Sequence, residues 1–324
     1  MELMNNQINK YIDLRTAIKS IGLVLLLSTM NSCETEFTPE NINSVPELVV
    51  EGYIETGDDA LPPYVLLTRS KPFFNTLSAK ELDSLFVHEA DVMITDGSNK
   101  VKLNEICFNN LPAASKKQLA ESLGVNADSV KVNICIYIDI TGAIIPTENH
   151  TYNLTIKSNG QTLESVTTIP KYVPLDSLWW REAPGIPSDT LLQLYSRIND
   201  PKGQKNFYRY FCGINNGALR TPFNSVYDDA LIDGKPFEFG LIRPNGPGEK
   251  FEPSTFGLFH TGDSVTVKWS SIDENHFRFW NTLEFNKSNQ GPFSTYTTIN
   301  SNIKGGLGVW GGYSSRIYQL KVKR

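Results

Sequence analysis

Histidine and cysteine are scarce in this chain, with four of each among 324 residues. His88, His150, His260 and His276 stand far apart and form no HExxH-type pair, which leaves only a zinc site assembled from distant strands. Cys107, Cys135 and Cys212 lack the CxxC spacing of a redox or zinc motif. In an oxidising compartment a Cys107–Cys135 disulfide is one reading. Buried free thiols acting as small hydrophobes are the favoured one. An excess of basic charge is missing too. Lys and Arg total 30 against 35 Asp and Glu, a formal net charge of −5. With its basic residues scattered, the chain offers no face to displace counterions from phosphates, so nucleic acid is excluded as a partner. No apolar run approaches the roughly 20 residues that a membrane-spanning helix needs.

Catalytic signatures are lacking as well. Gly312-Tyr313-Ser314-Ser315 only approaches the GxSxG nucleophile elbow, without its second glycine. The glycines over 305–312 carry no lysine after them to reach a phosphate, and they read mainly as places where the backbone bends or approaches another strand. Asp228-Asp229 with Asp233-Gly234 offers hard oxygen ligands without the alternating spacing of a calcium loop, and reads as a turn. The absence of β/α alternation excludes a doubly wound nucleotide-binding fold. No cofactor is implied, and the chain is expected not to be an enzyme. The alternative is a carbohydrate-active or other hydrolase whose paired carboxylates come from distant loops. An adhesin or structural subunit is a third reading.

What the sequence does contain begins with an address. Lys10, Arg15 and Lys19 form a positive flank, residues 21–27 a short apolar core, and residues 28–32 a small and polar stretch before Cys33. That order is a secretory signal peptide over 1–32. The cysteine at the cut looks like a bacterial lipobox, in which Cys33 takes the lipid and anchors the chain to a bilayer. Residues 33–46, polar with two prolines, read as an extended tether.

Beyond the tether the pattern has period two. Val130, Val132, Ile134, Ile136 and Ile138 alternate with polar or mixed residues, which puts five β-branched side chains on one strand face. Residues 152–156 and 163–169 flank Asn159-Gly160, a tight hairpin turn. Strands are expected at 47–55, 64–69, 90–95 and 100–103 as well, with helices at 78–87 and at 115–122, the latter capped by Ser115. Together these predict an immunoglobulin-like β-sandwich over 47–170. Residues 171–187, with Trp179-Trp180, read as a crossing between domains. Strands resume at 191–198, 206–213, 237–242, 264–270 and 316–322, and 272–286 has helical spacing. A second β-rich domain with one packed helix is therefore expected over 171–324. The fold class is mainly β.

Trp179, Trp180 and Trp310 fall in segments that read as loops, where an exposed indole stacks on a sugar or docks a partner. For Trp179-Trp180 packing at a domain junction is the favoured reading. Trp310, set among glycines, is expected to stand proud of the surface.

Several segments together resemble the DUF4249 family of Bacteroidetes cell-envelope lipoproteins. They are LVVEGYIETG, NHTYNLTIKSNGQTLESVTTIP, LDSLWW, NFYRYF, YDDALIDGKPFEFG, HTGDSVTVKWSSIDENHFRFW and SNIKGGLGVWGGYSS. The resemblance implies an outer-membrane lipoprotein that assists a TonB-dependent receptor in nutrient capture. It supplies no catalytic residues. Glu34 and Glu36, next to Cys33, look like the acidic export signal that sends such lipoproteins to the cell surface.

Overall fold

Strands are the main regular element of the described residues, and where each strand turns its two faces decides where the site lies. The computed structural model describes residues 45–71, 79–122, 132–185, 188–246, 248–288 and 298–324. The expected signal peptide, Cys33, Glu34, Glu36 and the expected tether as far as residue 44 lie outside them. In chain order the elements are β1 (Leu48–Gly57), β2 (Tyr64–Arg69), α1 (Ala79–Asp83), β3 (Asp91–Thr95), β4 (Lys100–Lys102), β5 (Asn104–Cys107), α2 (Ala113–Ser122), β6 (Cys135–Ile138), β7 (Thr151–Ser158) and β8 (Gln161–Thr168). There follow β9 (Leu175–Glu182), β10 (Leu191–Asn199), β11 (Phe207–Ile214), β12 (Val226–Asp228), β13 (Pro236–Leu241), β14 (Phe259–His260), β15 (Ser264–Ile272), α3 (Glu274–Ser288) and β16 (Leu307–Lys321). Among the described residues no helix is long and apolar enough to cross a membrane.

One eight-stranded sheet, in the order β12-β11-β15-β16-β1-β2-β6-β5, runs through the whole unit. Its back face is closed by two smaller sheets. Against β1 and β2 packs β4-β3-β7-β8, with Val50, Ile54, Val92, Ile94, Leu154 and Ile156 in one core. Against β11 and β15 packs the sheet of β9, β10, β13 and β14, with Leu194, Ile198, Tyr210, Val267 and Trp269 in a second. The expected boundary near residue 170 falls between most members of the two cores, although Ile303 and Trp310 from beyond it belong to the first. It does not divide two sheets, because β16 pairs parallel with β1, Gly52 facing Trp310 and Ile54 facing Gly312. Residues 45–324 form one compact unit.

Local rules account for most elements. Asn159 and Gly160 both take positive φ, 47° and 77°, and close the β7–β8 hairpin. Helix α2 begins earlier than expected. Pro112 stands at its start, where a missing N–H costs nothing, and its carbonyl accepts the Lys116 amide at 2.9 Å, so Ser115 is inside the helix and not its cap. The crossing expected at 171–187 contains strand β9, which pairs along β10 with Trp179 opposite Tyr195 and Trp180 opposite Leu194.

In β6 the two faces are exchanged relative to the alternation. Tyr137 enters the first core and donates its hydroxyl to the Val87 carbonyl at 2.7 Å, while Ile134 and Ile136 turn to the front of the sheet. A tyrosine with a buried acceptor outweighs the β-branched set, of which Val130 lies outside the described residues. Cys107 and Cys135 are register partners in β5 and β6, 4.0 Å apart at Cα, and form a disulfide. The favoured expectation of free thiols is corrected there, because cross-strand register sets the pair side by side and sequence spacing does not reveal it. Cys212 is a buried free thiol, its pKa pushed up to about 12 by burial.

Candidate functional site

The front face of the large sheet carries α3 over its middle and, beside the helix, a cleft of about 900 Å³. Strand alternation supplies the floor. Glu51, Tyr53 and Glu55 come from β1, Tyr64 and Leu66 from β2, Arg209 and Phe211 from β11, Lys268 and Ser270 from β15, and Tyr313 from β16. Helix α3 adds His276 and Trp280. It is started by Asp273, whose carboxylate accepts the amides of Asn275 and His276 at 2.8 and 3.0 Å and that of Gly312 at 3.0 Å, tying the helix to β16. Gly311 lets it settle, since a Cβ there would come within 2.6 Å of His276 Nδ1.

Charge is buried in this floor. Glu55 is 3% and Lys268 8% exposed, and Lys268 Nζ donates to Glu55 Oε2 at 2.6 Å while the Leu61 amide holds the other oxygen at 2.8 Å. Arg209, 4% exposed, is fixed differently. Its guanidinium lies over the Trp280 ring at 3.7 Å, its Nε donates to Ser225 Oγ at 3.2 Å, and its Nη1 to His276 Nε2 at 3.3 Å. An arginine only donates, so His276 Nε2 carries no proton there and the ring is neutral with its proton on Nδ1. Burial, helped by the Arg209 charge, holds the His276 pKa well below its ordinary value. Tyr53, Tyr64 and Tyr313 have their pKa values raised, first by burial and then by the nearby glutamates, so all three keep their hydroxyl protons at neutral pH. Tyr53 uses its own to bond Glu51 Oε1 at 3.0 Å. The site is a set of fixed donors and acceptors on aromatic walls. Among the described residues no serine or cysteine of the cleft is hydrogen-bonded to a base.

Comparison with known families is decisive on one point. The model of the domain of unknown function DUF4249 matches residues 34–319. The chain belongs to this family. No curated protein and no solved structure matches it.

For this DUF4249 chain, the tryptophans singled out in sequence do not form the cleft. Trp310 is fully buried in the first core, its Nε1 donating to the Tyr152 carbonyl at 3.3 Å. The expectation of a prominent indole is corrected. Residues 307–315 continue β16 through the glycines, and Gly52 opposite Trp310 is the missing side chain that makes room, for a Cβ there would stand 2.8 Å from Trp310 Cε3. Trp180 is half-buried against the second core, its Nε1 bonded to the Lys321 carbonyl at 2.9 Å. Trp179 is half-buried on the opposite face of β9, where the Arg181 guanidinium covers it and Tyr195.

Among the described residues two clusters bring together metal-ligand side chains. His88 and Glu105 stand near Cys107 and Cys135, whose sulfurs the disulfide occupies. Asp200, Asp229 and Asp233 bring carboxylate oxygens within 4.8 Å of one another, and they accept from the Tyr208 hydroxyl and the amides of Asn206 and Gly203. That is the bonding of a braced turn. The cleft residues Glu51, Glu55, Arg209, Lys268, His276 and Trp280 carry no motif. Each, however, falls in a segment quoted above for the family resemblance, and Glu51, Arg209 and Lys268 sit within strands between apolar or aromatic neighbours.

Proposed function

We propose that this chain is a non-enzymatic outer-membrane lipoprotein, anchored at the cell surface through a lipid on Cys33, that captures a small ligand in the front-face cleft beside a TonB-dependent receptor. The observation that carries the capture role is the cleft itself. Its volume of about 900 Å³ falls in the range of small-molecule sites, and Glu55, Lys268 and Arg209 are held there by bonds formed before any ligand arrives. Anchoring rests on the basic flank, short apolar core and cysteine in order, and the receptor on the family resemblance. Glu51 and Glu55 weigh against hydrolysis. They lie four residues apart on one strand, about 13 Å at the usual rise, and do not face each other across a bond. Glu55 is also engaged by Lys268.

Native mass spectrometry of the protein released gently from its own envelope tests capture. The wild type should carry a small-molecule adduct that a Leu66→Trp/Leu219→Trp variant, narrowed from opposite walls of the cleft, has lost. Equal spectra for the two would remove the cleft as the capture site. In parallel, Cys33→Ser should leave the detergent phase and no longer co-purify an envelope receptor. Unchanged partitioning would sink the anchoring.

A further inference from the structure

Lys268, Arg209 and Arg220 line the cleft, and among the described residues only Lys268 is in an ion pair. Lys268 is neutralised by Glu55 at 2.6 Å. Arg209 is equally buried, yet among the described residues no carboxylate lies within ion-pair distance of it. Glu284, which α3 brings nearby, spends both oxygens on the amide and hydroxyl of Ser225 at 2.9 and 2.5 Å. A buried guanidinium without a counter-charge is costly, so its retention calls for a reason.

Everything around it fixes its plane and leaves an edge. Trp280 covers one face at 3.7 Å, Phe211 lies 4.8 Å from its carbon, Ser225 takes Nε–H and His276 takes one Nη1–H. The remaining donors of the fork have no acceptor among the described residues. Such an edge matches the two oxygens of a carboxylate, which it binds through parallel charge-assisted bonds. Glu51 and Asp59 line the same cavity. Among the described residues Glu51 is bonded there by the Tyr53 hydroxyl, and Glu51 and Asp59 offset the charges of Arg209 and Arg220, which leaves no excess positive charge to hold a polyanion.

We propose that the cleft takes a small organic monocarboxylate, its carboxylate on the open edge of Arg209 and its body against the aromatic and aliphatic walls. This rests on the reading of the cleft as the capture site. Arg209 is a recognition residue, held ready by Trp280, Ser225 and His276.

The test titrates the folded chain with 3-phenylpropionate, the neutral amide of the same acid, and inorganic phosphate. Binding is followed by calorimetry and by the Nε–H resonance of Arg209. The acid should bind the wild type, shift that resonance, and bind roughly tenfold or more tightly than the amide or phosphate. Arg209→Lys, which keeps the charge and loses the fork, should weaken acid binding by a similar factor, and Leu66→Trp/Leu219→Trp should abolish it. The wild-type resonance and the acid-to-amide ratio decide the matter even if Arg209→Lys folds poorly. Equal binding of acid and amide, both lost in the narrowed variant, overturns the carboxylate and leaves the cleft. Acid binding that survives narrowing overturns the cleft itself. Tighter binding of phosphate, or no acid binding, overturns the assignment of the ligand class.

Discussion

The two faces of the eight-stranded sheet use one alternation for opposite purposes. On the back of β1 stand Leu48, Val50, Gly52 and Ile54, closed over by a second sheet. On the front stand Glu51, Tyr53 and Glu55, and there Glu55, Arg209 and Lys268 are as inaccessible as many core residues. The back is held by shape, the front by paired and oriented charge. A polar position in a strand alternation therefore does not mark solvent. It marks the face that lacks a second sheet, and here that face has a helix and a cleft instead.

One of the two largest effects should come from the back. Trp310→Ala empties a fully buried site and should cost about 3–5 kcal/mol, the same order as Trp269→Ala in the other core. Chemical denaturation of both variants measures this. A small loss for Trp310 alone would return the indole to the surface and undo the contrast between faces.

On the front, Lys268→Ala should cost about 3–5 kcal/mol, because it strands the Glu55 carboxylate. Replacing both partners, Glu55→Leu with Lys268→Met, should cost much less, since no buried charge remains. Equal losses for the single and double variants in urea unfolding would mean the front face is packed like the back. Gly52→Ala should be milder, about 1–3 kcal/mol, from pressing a methyl group onto the Trp310 ring. A neutral result would show that Trp310 can shift aside.

Much of the fold was legible because local pattern suffices for it. The β7–β8 hairpin follows from alternation around Asn159-Gly160, and α3 from helical spacing after Asp273. The first half of β16 was not legible, for glycines suppress a strand signal there, and their cause is the facing His276 at Gly311 and the β8 residues Thr167 and Thr168 at Gly312. Nor was the single sheet, since the β1–β16 pairing joins residues more than 250 apart in sequence. The cleft was hidden for the same reason. Arg209 looks like a solvated charge between tyrosines until Trp280, Ser225 and His276 are brought around it by separate segments.

The smallest effect separates the faces by pH. His276 is buried and neutral beneath α3, with Tyr53 and Tyr313 rings at 5.3 and 5.6 Å, Arg209 at its Nε2, and Asp273 one turn before it. Its folded pKa is depressed below the ordinary 6.5 by burial first and then by Arg209. Below pH 6.5 the unfolded chain takes up a proton that the folded chain refuses, so the stability this group contributes is complete above 6.5 and drains away as pH falls. The loss is at most about 1.4 kcal/mol per pH unit. His88, His150 and His260 are exposed. Thermal midpoints between pH 7.5 and 5.5 should therefore fall in the wild type and flatten in His276→Gln, while Trp310→Ala, a back-face change, should keep the wild-type slope. An unchanged slope in His276→Gln would mean that the front face admits a proton, and with it water, where the geometry keeps both out.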